Sequence, residues 1–304
     1  MTYQIIKRKN IAFLFSAILF FGSIISLFVY GLKPGLDFTG GSLLEVSFTG
    51  GARPETAEVR TNIEKTGFTP STLQFSGDKS IIVKLPFISE TDHQKILQGL
   101  REQYQKGETQ VREERLETIG PAFSQQLKTR SVYAILAVSI GIVLFIAYAF
   151  RKVSKSVPSW KYGVAAVVAL LHDVVITCGF FSVLGHFADI EVDISFVVAL
   201  LTILGYSVND TIVVFDRIRE KVLIKGIKDF AHTVNLAVNE TIGRSINTSM
   251  TVQLTLIALY FFGGETTRHF SLALIIGVFF GTYSSIFIAS SLLVSWEEWR
   301  HARK

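Results

Sequence analysis

The chain has 304 residues, of which 49% are hydrophobic and 18% charged, with a mean hydropathy of +0.41 and a net charge of +5. These values are too apolar for an ordinary soluble protein of this length and indicate a membrane protein. The basic residues stand in short clusters beside apolar segments, which argues against nucleic-acid binding and for a topology signal. The single cysteine, Cys178, excludes an intramolecular disulfide and a multi-cysteine metal site.

Six apolar runs are close to the roughly 20 residues that a helix needs to cross a bilayer. They cover residues 11–30, 132–150, 162–187, 194–215, 245–262 and 270–296. The first follows three basic residues, as a signal peptide would, but no small-x-small cleavage site ends it, and we interpret it as a retained anchor. The sequence thus predicts an α-helical polytopic membrane protein with six transmembrane helices.

The segment between the first two runs predicts a small α+β domain. Apolar alternation and turn residues indicate its strands, and a proline near the first turn indicates its first helix. The expected order is strand 42–48, helix 54–66, strands 72–76 and 80–85, helix 90–104 and strand 109–119. This β-α-β-β-α-β order is typical of a ferredoxin-like domain. Apolar and polar residues alternate poorly along the last strand, so we expect this strand at an exposed edge of the sheet.

Two short motifs join this domain to the first and second spans. Asp37 with Gly40 and Gly41 precedes the first strand, and Gly120 with Pro121 follows the last one. Because glycine permits tight backbone paths, we predict hinges or structural turns at both places. A phosphate-cradling loop at the glycine pair is the alternative, although no strand precedes it and no helix follows it.

The basic clusters predict the orientation of the chain in the membrane. When six spans alternate, all of these clusters fall on one side: residues 7–9, 151–161, 217–228 and 300–304. The positive-inside rule places that side in the cytoplasm, together with both termini. The predicted parts are the cytoplasmic N-terminus 1–10, the first helix 11–31, the periplasmic domain with its linkers 32–131, and helices two to six with the cytoplasmic C-terminus 132–304.

The third span carries His172 and Asp173 near its middle. A histidine beside an acid can relay protons at physiological pH. A buried pair in which each residue satisfies the other is the alternative. The pair therefore enters the candidate proton pathway with both interpretations open.

The fourth apolar run, residues 194–215, contains a carboxylate, Asp210, near its end. A charge at the centre of a bilayer costs roughly 2.5 to 3.5 kcal/mol on insertion scales, so such a group usually has a function. Arg244 begins the fifth apolar run at a similar depth, and we expect it to face Asp210. Asn209 could complete a hydrated path. The pair predicts either a protonation switch or a static salt bridge between helices.

Two further patterns lie in the last two spans. Thr248 and Thr251 follow Arg244 on one helical face, where they could line a proton path or hold helices together. In the sixth span, Gly277, Gly281 and Ser285 recur every fourth residue, which predicts a small-residue ridge for close helix packing.

Three motifs closely resemble the SecD/SecF family, the accessory membrane subunits of the bacterial Sec protein-export machinery. They read LDFTGG at residues 36–41, GYSVNDTIVVFDRIRE at 205–220 and RSINTS at 244–249. The likeness runs from the first span to about residue 295. It implies one six-helix half of an assembly related to the RND proton-driven exporters, with a ferredoxin-like periplasmic domain between helices one and two.

The resemblance also implies a function and partners. SecD would be the partner subunit, and SecYEG, YajC, translocating preproteins and membrane lipids would contact the assembly. The proton-motive force would drive late steps of translocation, with protons as coupling ion and no other cofactor. Asp210 and Arg244 match the proton pathway of the family without a shift.

Two other functions stay open on the sequence. An RND-type exporter of lipids or small molecules would share buried acids and a ferredoxin-like outer domain, and a static assembly subunit would share the salt bridge. An enzyme is not indicated, because no nucleophile-base set and no metal-ligand cluster appears in the sequence.

Overall fold

The computed structural model describes residues 3–149, 158–226 and 229–302. It divides into two compact units. The helical unit comprises Met1–Lys33 and Val132–Lys304, and the sheet unit comprises Pro34–Ser131. The predicted end of the second span at Phe150 lies outside the described residues, as do these members of the basic clusters: Arg151, Lys152, Lys155, Lys228, Arg303 and Lys304.

The described residues contain six helical segments long and apolar enough to cross a membrane, as predicted, and all but the start of the second belong to the helical unit. A single turn of 3₁₀-helix, Ile6–Arg8, leads into the first. The first five are α1 (Lys9–Val29), α5 (Pro121–Ala149), α6 (Ser159–Phe187), α7 (Ile194–Lys225) and α8 (Phe230–Phe262). Each is longer than its apolar run or equal to it, because packing and capping carry the helix beyond the hydrophobic part.

The largest difference from prediction concerns the start of the fifth span. We expected it at Arg244, but α8 begins at Phe230, where the Asp229 side chain accepts a hydrogen bond from the backbone N–H of His232 at 3.0 Å. The added turns bury Val234 and Val238 on one side. Tertiary packing of this amphipathic stretch therefore extends the helix, and Arg244 lies in its interior.

The sixth span is not one regular α-helix. It consists of α9 (Glu265–Tyr283), a π-helix (Ser284–Ala289) and α10 (Ser290–Ala302). A π-helix is rare and occurs frequently at functional sites, because it shifts the direction of the side chains that follow. The irregularity falls on the two neighbouring serines Ser284 and Ser285.

Small residues of α9 let it approach α7 closely. A Cβ added to Gly277 would overlap the side chain of Ile203, and one added to Gly281 would lie 3.1 Å from the Cβ of Ser207. Two members of the predicted ridge thus lie directly against the fourth span. Ser285, the third member, belongs to the π-helix and has a different contact.

The sheet unit has the predicted order of elements and forms a ferredoxin-like α+β fold. After a short α2 (Leu36–Thr39), it contains β1 (Gly41–Thr49), α3 (Thr56–Lys65), β2 (Thr72–Ser76), β3 (Ser80–Leu85), α4 (Glu90–Tyr104) and β4 (Gln110–Ile119). The strand order is β2-β3-β1-β4, and every neighbouring pair is antiparallel. The last strand, β4, is at an edge of the sheet, as its poor alternation predicted.

Alternation along β1 builds the core of the sheet unit. Leu44, Val46 and Phe48 are almost fully buried, and they belong to one cluster with Ile63 of α3 and Ile96 of α4. Burial of each such side chain contributes about 1.5 to 3 kcal/mol. The two helices therefore cover one face of the sheet.

The helix α4 begins at a conventional N-cap. The Ser89 side chain accepts a hydrogen bond from the backbone N–H of Asp92 at 3.3 Å. The same serine lowers the pKa of Asp92 through a side-chain hydrogen bond. Its local sequence signal explains why the predicted and observed bounds of α4 agree.

The glycine pair at the start of β1 is required by the backbone. Gly40 and Gly41 have φ angles of +69° and +121°, a region that favours glycine. A Cβ on Gly41 would lie 2.6 Å from the carbonyl oxygen of Leu85 on β3. The pair thus forms a tight structural turn with its backbone against the sheet.

We expect Gly41→Ala to destabilise the chain by more than the roughly 1 to 3 kcal/mol of a strained backbone position, because the new Cβ also clashes with Leu85. Gly67→Ala is the matched control, since its φ is +94° but nothing lies within 4 Å of an added Cβ. Thermal unfolding of the full chain in detergent measures both. Equal losses for the two variants would show that the close contact at Gly41 contributes nothing.

Candidate functional site

Asp210 of α7 is held by two hydroxyl groups. Its Oδ1 accepts a hydrogen bond from Ser245 Oγ of α8 at 2.6 Å, and its Oδ2 accepts one from Ser285 Oγ of the π-helix. The carboxylate is half-buried. It therefore joins the fourth, fifth and sixth spans through neutral donors.

Arg244 does not make the predicted direct contact with this carboxylate. Among the described residues, the hydrogen bonds of Asp210 come from serines, and no ion pair joins it to Arg244. Successive helix residues are rotated by about 100°, and Ser245 takes the position facing Asp210. Arg244 is exposed and lines a charged cavity of about 470 Å³ with Arg217 and Glu240.

The predicted polar stripe on α8 is present, but it faces out of this chain. Arg244, Thr248 and Thr251 are all exposed, and Asn209 of α7 is exposed beside Asp210. The Thr251 hydroxyl donates to the Thr248 carbonyl at 2.8 Å, within its own helix. A row of polar groups therefore lies on the outside of two membrane-spanning helices.

Asp173 of α6 is the most enclosed carboxylate of the site, with no exposed surface. Its Oδ2 accepts hydrogen bonds from Ser207 Oγ of α7 at 2.6 Å and from Ser284 Oγ of the π-helix at 2.8 Å. Its Oδ1 lies 2.9 Å from His172 Nδ1. Three side chains thus compensate the cost of burying this acid.

The other ring nitrogen of His172 has a different environment. The ring is buried between Phe20 and Tyr283, with ring centroids 6.3 and 6.4 Å away. In the described part of the chain, its Nε2 has no hydrogen-bond partner. The hydrogen bond between Nδ1 and Asp173 holds one proton, whichever of the two groups carries it. The pair can therefore exchange a proton internally.

Neighbouring serines of the π-helix connect the two acids. Ser284 donates to Asp173 on α6, and Ser285 donates to Asp210 on α7. Both carboxylates therefore contact the same short segment. Sequence reasoning missed Ser245 and Ser284 and assigned Ser285 to packing alone. The sequence could have identified them only through the helix face on which each serine lies relative to the acids.

The predicted hinge residues lie within the sheet unit. Asp37 is in α2, and α5 begins at Pro121, directly after Gly120. A Cβ on Gly40 would lie 3.1 Å from Ser124 Oγ of α5. The first turn of α5 therefore packs on the glycine pair. No group of three His, Cys, Asp or Glu residues could hold a metal ion among the residues the structure describes.

We expect Asp173→Leu to cost several kcal/mol, because it removes the acceptor of His172 and Ser207, at roughly 1 to 3 kcal/mol each, while Ser284 keeps the Gly281 carbonyl as an acceptor at 3.2 Å. Asp173→Asn keeps one acceptor oxygen and should cost less. Asp216→Asn, an exposed acid of α7, is the control and should change stability by less than about 0.5 kcal/mol. Thermal unfolding in detergent measures the stability of the three variants. Equal effects of Asp173→Leu and Asp173→Asn would contradict a stabilising role of the hydrogen bonds to Asp173.

Family models match most of the chain. The model described as protein export membrane protein SecD/SecF, C-terminal, matches residues 100–299, and the SecD/SecF GG motif matches residues 25–52. The second match includes the strained glycines at the start of β1. The first includes both carboxylates and the four serines that bond to them, on α6, α7, α8 and the π-helix.

Curated relatives and a solved structure are similar to this chain over nearly its whole length. Protein translocase subunit SecF of Thermobaculum terrenum is 42% identical over 97% of this chain and 94% of its own length, and that of Anaerolinea thermophila is 36% identical over 98% and 96%. Protein translocase subunit SecDF of Bacillus subtilis is 34% identical over 96% of this chain and 37% of its own length.

The crystal structure of SecDF, a translocon-associated membrane protein from Thermus thermophilus, superposes with a TM-score of 0.81 at 32% identity, over 98% of this chain and 39% of that one. The chain thus spans about two fifths of the SecDF proteins and nearly all of the SecF proteins that it matches. It belongs to the SecF family of protein translocase subunits.

Proposed function

We propose that this chain converts proton movement into a change of helix packing during protein export, with Asp210 as the group that changes its protonation. The supporting observation is that serines, and not an arginine, hold this carboxylate. A hydroxyl can donate to an ionised carboxylate or accept from a protonated one. Both protonation states of Asp210 can therefore be bonded in the same place.

A static salt bridge is less consistent with this geometry. A guanidinium bonded to Asp210 would hold the carboxylate in its ionised form. In the structure, Arg244 is the residue before Ser245 on α8, and it faces the charged cavity with Arg217 and Glu240. Its positive charge favours the ionised carboxylate that remains when a proton leaves Asp210, without being the fixed counter-ion of that carboxylate.

Protonation of Asp210 would change the packing of the sixth span. When the carboxylate is ionised, Ser245 and Ser285 both donate to it, and protonation reverses one of these bonds. One charge that crosses 100 mV supplies about 2.3 kcal/mol, which can bias a two-state element whose states differ by a few kcal/mol. The π-helix is the element that meets this description, since Ser284 and Ser285 tie it to both acids.

The exposed polar stripe supports a partner that completes the site. A row comprising Arg244, Thr248 and Thr251, with Asn209 nearby, is costly against lipid and is satisfied by another protein. The SecDF relatives carry the matching region as part of a longer chain. We assign SecD to this face, with SecYEG, YajC and the translocating preprotein as further partners of the assembly.

The orientation and chemistry follow from the same proposal. Both termini are cytoplasmic and the sheet unit is periplasmic, by the distribution of basic residues. Protons are the coupling ion, and the cycle forms and breaks no covalent bond. The hinge function of Asp37, Gly40, Gly41, Gly120 and Pro121 is part of this proposal, because these residues lie where the sheet unit connects to the first and second spans.

We expect Asp210→Asn to abolish the part of preprotein export that depends on the proton gradient, because asparagine keeps the size and the hydrogen bonds but cannot take up a proton. Export into membrane vesicles, with and without an uncoupler, measures that part. Asp216→Asn, six residues further along the same helix, is the matched control and should keep it. Co-purification of SecD with each variant checks assembly.

Gradient-dependent export that is unchanged in Asp210→Asn, with SecD recovered normally, would contradict the proton switch. It would then favour a static assembly subunit. Recovery of the chain without SecD or SecYEG, together with transport of a lipid or small molecule, would favour an RND-type exporter.

A further inference from the structure

An apolar groove opens on the helical unit, and neither Asp173 nor Asp210 lines it. It has a volume of about 960 Å³ and lies between the N-terminal segment with α1, one turn of α8, and the sixth span. Ile11 and Phe15 form one wall, Ile246 another, and Phe287 of the π-helix lies behind them. Ile11, Phe15 and Ile246 expose 68%, 48% and 46% of their surface. The groove therefore offers accessible apolar surface inside membrane-spanning helices.

A single cation stands at one end of this groove. Among the described residues, Arg8 is the one charged residue that lines it, and the Arg8 side chain makes no hydrogen bond or ion pair there. Its basic neighbours are placed differently: Lys9 pairs with Glu298, and both Lys9 and Lys7 line a separate polar cavity. The groove thus combines an available guanidinium with an apolar wall and contains no acid.

The depth of the groove matches one leaflet of a bilayer. Phe15 is seven residues beyond Arg8, which corresponds to roughly 10 Å along the helix. The hydrocarbon of one leaflet is about 15 Å thick, half of the bilayer core. If Arg8 is at the headgroup level, the apolar walls lie where an acyl chain runs. Tyr3, which is 61% exposed at the same end, is a typical interfacial residue.

We propose that this groove binds one anionic phospholipid, with its phosphate at Arg8 and an acyl chain between Phe15 and Ile246. Charge complementarity selects an anion, and the embedded apolar walls select a lipid over a free phosphate. The groove follows α8 for little more than one turn, 242–246, which suits a narrow acyl chain better than a helix packed along its length. The lipid would contact Phe287, in the segment that also carries Ser284 and Ser285. This binding does not depend on the proton switch.

The test uses the full chain, purified with its co-expressed partner and reconstituted in nanodiscs. A phosphatidylglycerol probe with a diazirine in its acyl chain is photolysed, and labelled residues are mapped by mass spectrometry. We expect labelling at 242–246 and Phe287, competed by unlabelled phosphatidylglycerol and much less by phosphatidylcholine. Arg8→Gln should reduce it about tenfold, the order expected for loss of a charge-assisted hydrogen bond.

Two variants make the test specific. Lys7→Gln removes the same charge from the neighbouring position and should change labelling by less than about twofold. Gly243→Leu fills the groove, and because nothing lies within 4 Å of an added Cβ at Gly243, it should fold normally while losing the label. Circular dichroism checks that both variants fold, and recovery of the co-expressed partner checks that they assemble.

Three results would overturn the proposal. Phosphatidylcholine could compete as well as phosphatidylglycerol, Arg8→Gln could behave as Lys7→Gln does, or the groove could be cross-linked only to another protein when the diazirine is placed in the protein at Ile246. The last result would assign this surface to a partner helix.

Discussion

A carboxylate inside a bilayer needs hydrogen-bond donors, and this requirement organises the helical unit. Asp173 and Asp210 lie on two different helices, and both obtain donors from the sixth span. Neighbouring residues of a regular α-helix point about 100° apart. The π-helix at Ser284–Ala289 places Ser284 and Ser285 so that each reaches its own acid. The close approach of α9 to α7, which Gly277 and Gly281 permit, brings this segment within reach.

Most of the fold was predictable because its signals are local. The strands β2 and β3 and the helix α4 have the predicted bounds, since a Gly77-Asp78 turn and the Ser89 cap mark them in the sequence. The start of α8 was not predictable in this way. Its first four turns are amphipathic, and the burial of Val234 and Val238 by other helices decides that they are helical. Hydropathy measures the membrane-embedded part of a helix and misses such an extension.

The candidate site was predictable in part for a related reason. Asp210 is conspicuous because a charge in an apolar run is expensive, and Arg244 is conspicuous because it begins the next run. The serines that hold the acid carry no such signal, because serine is common in spans and its function depends on the helix face it occupies. Arg244 and Ser245 are consecutive residues of α8, and their side chains point about 100° apart. Ser245 bonds Asp210, whereas Arg244 faces the charged cavity. The π-helix also could not be predicted from the amino-acid composition of its segment.

The two acids differ in access, and in the proposed proton cycle this difference gives them different parts. Asp173 is fully enclosed, and three side chains of the same chain surround it. Asp210 is half-buried and its sequence neighbour Asn209 is exposed, as is the polar stripe of α8. In that proposal a proton enters or leaves at Asp210 without unpacking the bundle, whereas Asp173, within the described part of the chain, has only His172 and two serines as hydrogen-bond partners. In the proposed cycle, two segments can couple the acids: the π-helix, which bonds to both, and α7, which carries Asp210 and bonds Asp173 through Ser207.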